Sequence, residues 1–250
     1  MRKKCEPLLK LLKLNNQTAD IALTDGQVEI FHDLIFRPKN REHIITSTQY
    51  GKSRVVAMAC VIIACIQKEY VSVVAPTNEK AKIIMRYFIE HLGDNILFYS
   101  QLEKNSKLER LRMEENKERI IMRGGGGIYI VSIQAGHTRV RIEAAMGLGS
   151  KICIQDESCL IPDAAEATIF RMIAGYKDAF YCNIGNPFYN IPPYTHFWKS
   201  WHDDNYKKVF INYEQGIKEG LIPILNFYFC RYYSDFTRNK SNTYIKFLLL

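Results

Sequence analysis

The sequence has no Cys-x-x-Cys pair and no His/Cys spacing of the kind that holds zinc, which excludes a structural zinc module. Its cysteines are Cys5, Cys60, Cys65, Cys153, Cys159, Cys182 and Cys230, and several sit inside apolar runs. They read as reduced core thiols of an intracellular protein, not as a disulfide framework. No apolar run is long: the longest, Val55 to Ile66, falls well short of the roughly 20 residues of a membrane span and reads as a buried helix. The N-terminal stretch MRKKCEPLLKLLKLNN starts basic, but lysines interrupt its apolar segments, so it fails as a signal peptide and predicts an amphipathic helix. No repeat of fixed period is present, which removes solenoids and propellers.

What is present suits one globular unit. With 250 residues and 47% hydrophobic composition, the chain can bury one large core, or one core with a small appended subdomain. A formal net charge of +8 leans mildly toward a polyanionic partner such as nucleic acid. Residues 1–38 read as helical with a turn near Asn15–Asn16, with Val28, Phe31 and Ile35 at helical spacing. A short strand, His43–Thr46, leads through the loop Ser47–Gly51 into an apolar helix from Lys52. Tyr70–Ala75 is a β-branched strand, and Thr77 can cap a helix that lines up Ala81, Ile84, Met85, Phe88 and Leu92 and stops at Gly93. Gln101 to Glu118 carries charges at helical spacing, as a solvated face would. Arg119–Arg123 and Ile128–Ile133 flank four glycines and predict a hairpin with a flexible tip; a phosphate-cradling role for these glycines is disfavoured because no helix start follows them. Lys151–Gln155, Ala179–Ile184 and Tyr206–Asn212 complete the strands, with a helix near Ala164–Ile173. This alternation predicts an α/β fold with a mostly parallel central sheet flanked by helices.

Three segments carry chemistry. Thr46-Ser47-Thr48-Gln49-Tyr50-Gly51-Lys52-Ser53 has the Gly-Lys-Ser end of a P-loop, with Thr46 where a first glycine is usual. Between a strand and a helix, its backbone N–H groups can face phosphate oxygens, Lys52 can neutralise the β- and γ-phosphates, and the Ser53 hydroxyl can bind Mg²⁺. Asp156 and Glu157 end an apolar strand, where two unpaired carboxylates are costly unless chemistry needs them. Asp156 suits holding Mg²⁺, and Glu157 suits activating a water. Gln155 is a polar interruption of that strand, facing either a helix or solvent. At the third strand end, Gly185-Asn186-Pro187, either Asn183 or Asn186 is placed to contact the γ-phosphate or the water, the alternative being a simple turn.

In this order the motifs resemble the ATPase domain of viral large terminase subunits, the motors that drive double-stranded DNA into capsids. The resemblance runs from about Leu23 to Gly220. Ser47–Ser53 resembles their deviant Walker A, Ile152–Ser158 their Walker B with its catalytic glutamate, and Gly185–Pro187 their coupling motif. Leu23–Gln27 is similar to their adenine-reading glutamine motif, Val71–Lys80 to the segment after their second strand, and Trp198–Gly220 to the segment after the coupling motif. The resemblance implies a RecA-like P-loop NTPase using ATP and Mg²⁺. It also implies double-stranded DNA, a portal protein and a small terminase subunit as partners, a homo-oligomeric ring when active, and work in the host cell cytoplasm, transiently at the procapsid portal, with no membrane. Residues 1–38 then form a helical segment with the glutamine motif, 39–222 the ATPase core and the start of a linker, and 223–250 a divergent tail.

The departures carry expectations of their own. Many terminases have an arginine inside the Walker A loop, where this chain has Thr48. Arg139, with Arg141 second, is then the candidate for an arginine finger acting on a neighbouring subunit. The chain ends at Leu250, before a nuclease domain of the family's kind would fit, and Asn226–Leu250 loses the resemblance, which suggests an altered reading frame or truncated gene. Two other readings are a fragment of a superfamily 2 helicase, which shares the glutamine motif and the Asp-Glu pair, and a decayed nucleotide-binding module without turnover.

Overall fold

The protein is described by a computed structural model over residues 1–12, 22–102, 118–133, 149–186 and 195–223. The expected helix over 101–118, the turn near Asn15–Asn16, Cys230 and the tail fall largely or wholly outside these residues, as do Arg139, Arg141 and Pro187.

Among the described residues seven strands form one sheet: β1 (Arg41–Thr46), β2 (Tyr70–Ala75), β3 (Arg119–Ile121), β4 (Gly127–Ser132), β5 (Ile152–Asp156), β6 (Phe180–Gly185) and β7 (Lys207–Ile211), in the order β3-β4-β2-β5-β6-β1-β7. All neighbours are parallel except β3 and β4, as the alternation of strands and helices predicts. The parallel strands therefore end on one common edge. The last three strand boundaries differ from the sequence reading by about one residue at either end. The central strands read as continuous apolar runs because both faces are covered. Val73 and Ile154 point into a large core with Phe31, Val56 and Phe88, while their neighbours Val74 and Cys153 point into a smaller one with Ile169, Met172 and Tyr181. The period of two along each strand makes this division.

The helices are α1 (Arg2–Leu12), α2 (Asp25–Phe36), α3 (Lys52–Ile62), α4 (Asn78–Gly93), α5 (Ile96–Tyr99), α6 (Asp163–Ile173), α7 (His196–His202) and α8 (Tyr213–Lys218). The amphipathic α1 buries Cys5, Leu9 and Leu12 and is pinned at its start by Arg2, which donates to Asp25 and to the Leu23 carbonyl. The apolar run from Val55 is a buried helix, α3, that passes into a π-helical turn at Ile63–Gln67 and stops at Lys68 in the left-handed region. α4 begins at Thr77, whose hydroxyl accepts from Lys80 N, and buries the five residues its spacing aligned. Among the described residues no helix is long and apolar enough to cross a membrane. Their six cysteines are free thiols.

The β3–β4 hairpin forms; Gly125 at its tip has open space around it, whereas the next two glycines are closely packed. A Cβ on Gly126 would lie 2.2 Å from the Ala64 carbonyl oxygen, and one on Gly127 would lie 2.5 Å from that of Ile120. Glycine is needed at 126 so that the turn can press against the π-helical turn after α3, and at 127 so that β4 can approach β3. The glycines precede β4, on the sheet edge opposite the Lys52 loop, which removes a phosphate role.

That opposite edge buries an acidic pair. Asp33 of α2 is fully buried and ion-paired with Lys207, while Glu42 of β1 is buried with neither carboxylate oxygen hydrogen-bonded. Burial, and next the Asp33 charge, push the Glu42 carboxyl well above its ordinary range. A carboxyl raised on folding adds stability in acid, below its unfolded value, and loses that contribution as pH rises through the folded value. Glu42→Gln should therefore raise the unfolding free energy at pH 8 by on the order of 1–3 kcal/mol, as relief of an unsatisfied buried group does. The gain should shrink toward pH 4; urea melts at both pH values check this, and a gain confined to acid contradicts it.

Candidate nucleotide site

β1, β5 and β6 end side by side, and the loop Ser47–Gly51 joins β1 to α3 at that edge. The loop turns through two left-handed residues, Gln49 (φ 61°) and Gly51 (φ 82°). A Cβ on Gly51 would also lie 2.9 Å from Gln27 Nε2, so glycine is required for both conformation and space. Ser47 N donates to the Ile211 carbonyl at 3.1 Å, fixing the loop's start to the end of β7. No side chain caps α3; Arg54 N and Val55 N both donate to the Gly51 carbonyl, and the uncapped N-terminus, at Lys52 and Ser53, is of the kind that suits an anion.

A polar clamp holds the loop from outside. Tyr50 is buried, and its hydroxyl meets the Thr24 hydroxyl and the Glu219 carboxylate. Gly26 leaves the room: a Cβ there would lie 2.2 Å from that hydroxyl oxygen. Burial, then the bond to Glu219, raise the Tyr50 pKa, so its hydroxyl stays protonated. Gln27 closes a capping box on α2, accepting from Thr24 N, and donates from Nε2 to the Tyr50 carbonyl at 2.8 Å. One N–H and one lone pair of its amide remain for a ligand. Tyr50 thus serves the loop as an anchor, and Thr48 is bonded to the Tyr213 hydroxyl.

The chemistry gathers beneath α3. Lys52 Nζ lies 2.7 Å from Glu157 Oε1, with both side chains about nine-tenths buried. Ser53 Oγ donates to Asp156 Oδ2 at 3.1 Å. Two carboxylate oxygens, Asp156 Oδ1 and Glu157 Oε2, are buried without a hydrogen-bond partner. Burial raises the Asp156 carboxyl to about 6, opposed by Lys52 and reinforced by Glu157. Oxygen donors from Ser53 and Asp156, one of them unsatisfied, fit a hard divalent cation such as Mg²⁺. Among the described residues no group of three or more His, Cys, Asp or Glu is placed to hold a metal ion by itself.

Of the two carboxamides, Asn183 is committed elsewhere: its Nδ2 donates to Ser200 Oγ at 3.0 Å and its Oδ1 lies 3.2 Å from Ser158 Oγ. Asn186 stands at the site, with Oδ1 3.5 Å from Thr46 Oγ1 and its carbonyl accepting from Cys159 Sγ. Gln155 faces a helix, donating to Glu166 of α6 at 2.7 Å. The sequence reading assigned no role to Lys80, whose Nζ is 3.7 Å from Glu157 Oε1. It leaves the first turn of α4, after β2, and only the pairing of β2 with β5 brings it to the site.

No protein-family model and no curated protein matches the chain. Solved structures do. The large terminase of bacteriophage HK97 superposes with a TM-score of 0.63 at 11% identity, over 83% of this chain and 43% of that one. The ATPase domain of the Thermus phage P74-26 large terminase gives 0.54 at 14%, over 94% and 93%. The large terminase of the thermophilic bacteriophage D6E in complex with ATP-gamma-S gives 0.57 at 11%, over 90% and 51%. The chain therefore spans less than half of the HK97 protein and nearly all of the Thermus phage domain, and it has the RecA-like fold of these ATPase domains.

Removing one partner of a buried ion pair strands the other charge at a cost of about 3–5 kcal/mol. Lys52→Ala should destabilise the protein by the low end of that range, since Lys80 still faces Glu157. Lys52→Ala/Glu157→Gln should recover most of the loss in urea unfolding; additive losses contradict the pairing.

Proposed function

We propose that this chain, which has the ATPase fold of large terminases, hydrolyses ATP to drive double-stranded DNA into a viral procapsid. The observation that carries the reading is the convergence of Lys52 and Ser53, from one loop, on Glu157 and Asp156, with two carboxylate oxygens left unsatisfied. Fold likeness to the D6E protein that holds ATP-gamma-S supports it.

In this reading the polyphosphate lies against the loop N–H groups and the open first turn of α3. Lys52 exchanges Glu157 for the β- and γ-phosphates, a stronger countercharge. Glu157, released on one oxygen, accepts the proton of a water that attacks the γ-phosphorus, while the bond to the β-phosphate oxygen breaks and ADP leaves. Ser53 and Asp156 hold Mg²⁺, which when bound neutralises charge on the β- and γ-oxygens. Asn186 contacts the γ-phosphate or the water, and Gln27 offers its remaining donor and acceptor to the adenine edge.

Thr48 brings no charge to the transferring group. The reading therefore takes Arg139, with Arg141 second, as a finger reaching into the next subunit of a homo-oligomeric ring, with a portal protein and a small terminase subunit as further partners in the host cytoplasm.

Two measurements test it. Lys52→Ala should lose tight ATP binding, whereas Glu157→Gln should bind ATP as the parent does and turn it over about 10²–10⁴-fold more slowly. Fluorescent-nucleotide titration beside phosphate release distinguishes them, and equal loss of binding in both contradicts the roles. Specific activity should rise with concentration as subunits assemble. Mixing Lys52→Ala with Arg139→Ala protein should restore part of the lost activity, because one supplies an intact loop and the other an intact finger. Concentration-independent turnover with a fully active Arg139→Ala variant contradicts the trans finger.

A further inference from the structure

Glu157 adopts φ 52° and ψ 41°, the left-handed region that residues with a side chain seldom occupy. Such a conformation persists only where its surroundings over-determine it. On its N-terminal side Asp156 is paired with Ile184 in the sheet. On its C-terminal side the Glu157 carbonyl accepts from Leu160 N at 2.9 Å, and a side-chain hydroxyl adds a second hold. Ser158 is fully buried, and its Oγ lies 2.8 Å from Gln155 Oε1, 3.2 Å from Asn183 Oδ1 and 3.1 Å from His196 Nε2. These partners come from β5, β6 and the first residue of α7. Gln155 is steadied by Glu166 and Asn183 by Ser200.

His196 is oriented by a carboxylate. Asp163 Oδ1, at the start of α6, accepts from the His196 backbone N–H at 2.8 Å and stands 2.9 Å from its Nδ1. Hydrogen-bonding Nδ1 to Asp163 turns Nε2 toward Ser158, as a carboxylate orients any imidazole it holds. Serine, histidine and aspartate in this order of contacts also occur in nucleophilic hydrolases. Here the hydroxyl is buried among protein groups, where no substrate reaches it, so its use must be internal.

We propose that Asp163, His196 and Ser158 are a positioning chain for Glu157. Asp163 orients the imidazole, the imidazole fixes the Ser158 hydroxyl, and the fixed Ser158 holds Glu157 left-handed with its carboxylate against Lys52 and Lys80. The inference rests on Glu157 being the group that activates water. It also ties the starts of α6 and α7 to the residue beside the chemistry, so that a shift of either helix moves the carboxylate.

The test is steady-state ATP turnover of the full chain beside equilibrium binding of a fluorescent ATP analogue. Ser158→Ala and His196→Asn should each lower kcat about 10–100-fold, the penalty for a misplaced catalytic group. Analogue affinity should stay within about twofold, since uniform binding is untouched. His196→Gln keeps an amide where Nε2 lies and should retain most of the parental kcat. Ser158→Ala/His196→Asn should lose no more than either single variant, because both break one link. Asp163 is half exposed, so Asp163→Asn probes the chain from its solvent end even where a buried substitution prevents folding, and it should give a smaller fall in kcat. Parental kcat in the folded variants, or losses that multiply in the double variant, overturns the positioning chain. A Glu157→Gln control that still turns over ATP overturns the base assignment, and the chain with it; this is a different result, read from a different variant.

Discussion

The ion pair between Lys52 and Glu157 sets the shape of this site. Its partners are 105 positions apart in sequence and meet because β1 and β5 run parallel with only β6 between them, so their ends share one edge. Burying an ammonium and a carboxylate is costly unless each finds the other. Without a ligand the pair keeps both charged groups ordered and close to where a polyphosphate would lie. Lys80 is a second ammonium near Glu157, and under the proposed function it would keep that carboxylate from being stranded when Lys52 turns to phosphate. An exchange of partners is easier than a separation of charges, and the proposed function uses the pair in that way.

The loop that leads into Lys52 is held by side chains from elsewhere in the chain. Tyr50 reaches into the polar cluster of Thr24, Gly26 and Glu219, and Gln27 reaches the Tyr50 carbonyl. Helices α2 and α8 thereby grip a single turn of chain. Under the proposed function, Gln27 has two tasks at once, reading a base and bracing the loop. On the far side of Glu157, the Ser158 hydroxyl supplies the matching brace from α6 and α7.

Much of this was legible in the sequence because local chemistry decided it. The β-branched run at Tyr70–Ala75, the Thr77 cap and the Gly-Lys-Ser turn each specify their own conformation, and the structure follows them. Alternation of strands and helices was enough for a parallel sheet. Strand order was not, because nothing local encodes which parallel strands become neighbours, and Lys80 was missed for that reason. Polar residues whose partners lie far along the chain were also opaque. Gln155 read as an interruption of a strand, yet it is fully buried and bonded on both sides. The four glycines read as a flexible tip, and the close approaches of Gly126 to the Ala64 carbonyl and of Gly127 to the Ile120 carbonyl are seen only in three dimensions.

The exchange of Lys52 from carboxylate to phosphate is the step on which the proposed chemistry depends. A crystal structure of the full chain with Mg²⁺ and a non-hydrolysable ATP analogue tests it directly. Lys52 Nζ should then lie on a β- or γ-phosphate oxygen, more than 3.5 Å from the Glu157 carboxylate, and Glu157 should face a water in line with the γ-phosphorus, the separation being the limit beyond which a direct hydrogen bond is lost. A bound analogue with the Lys52–Glu157 pair still at 2.7 Å, or an analogue lodged away from the Ser47–Ser53 loop, would contradict it.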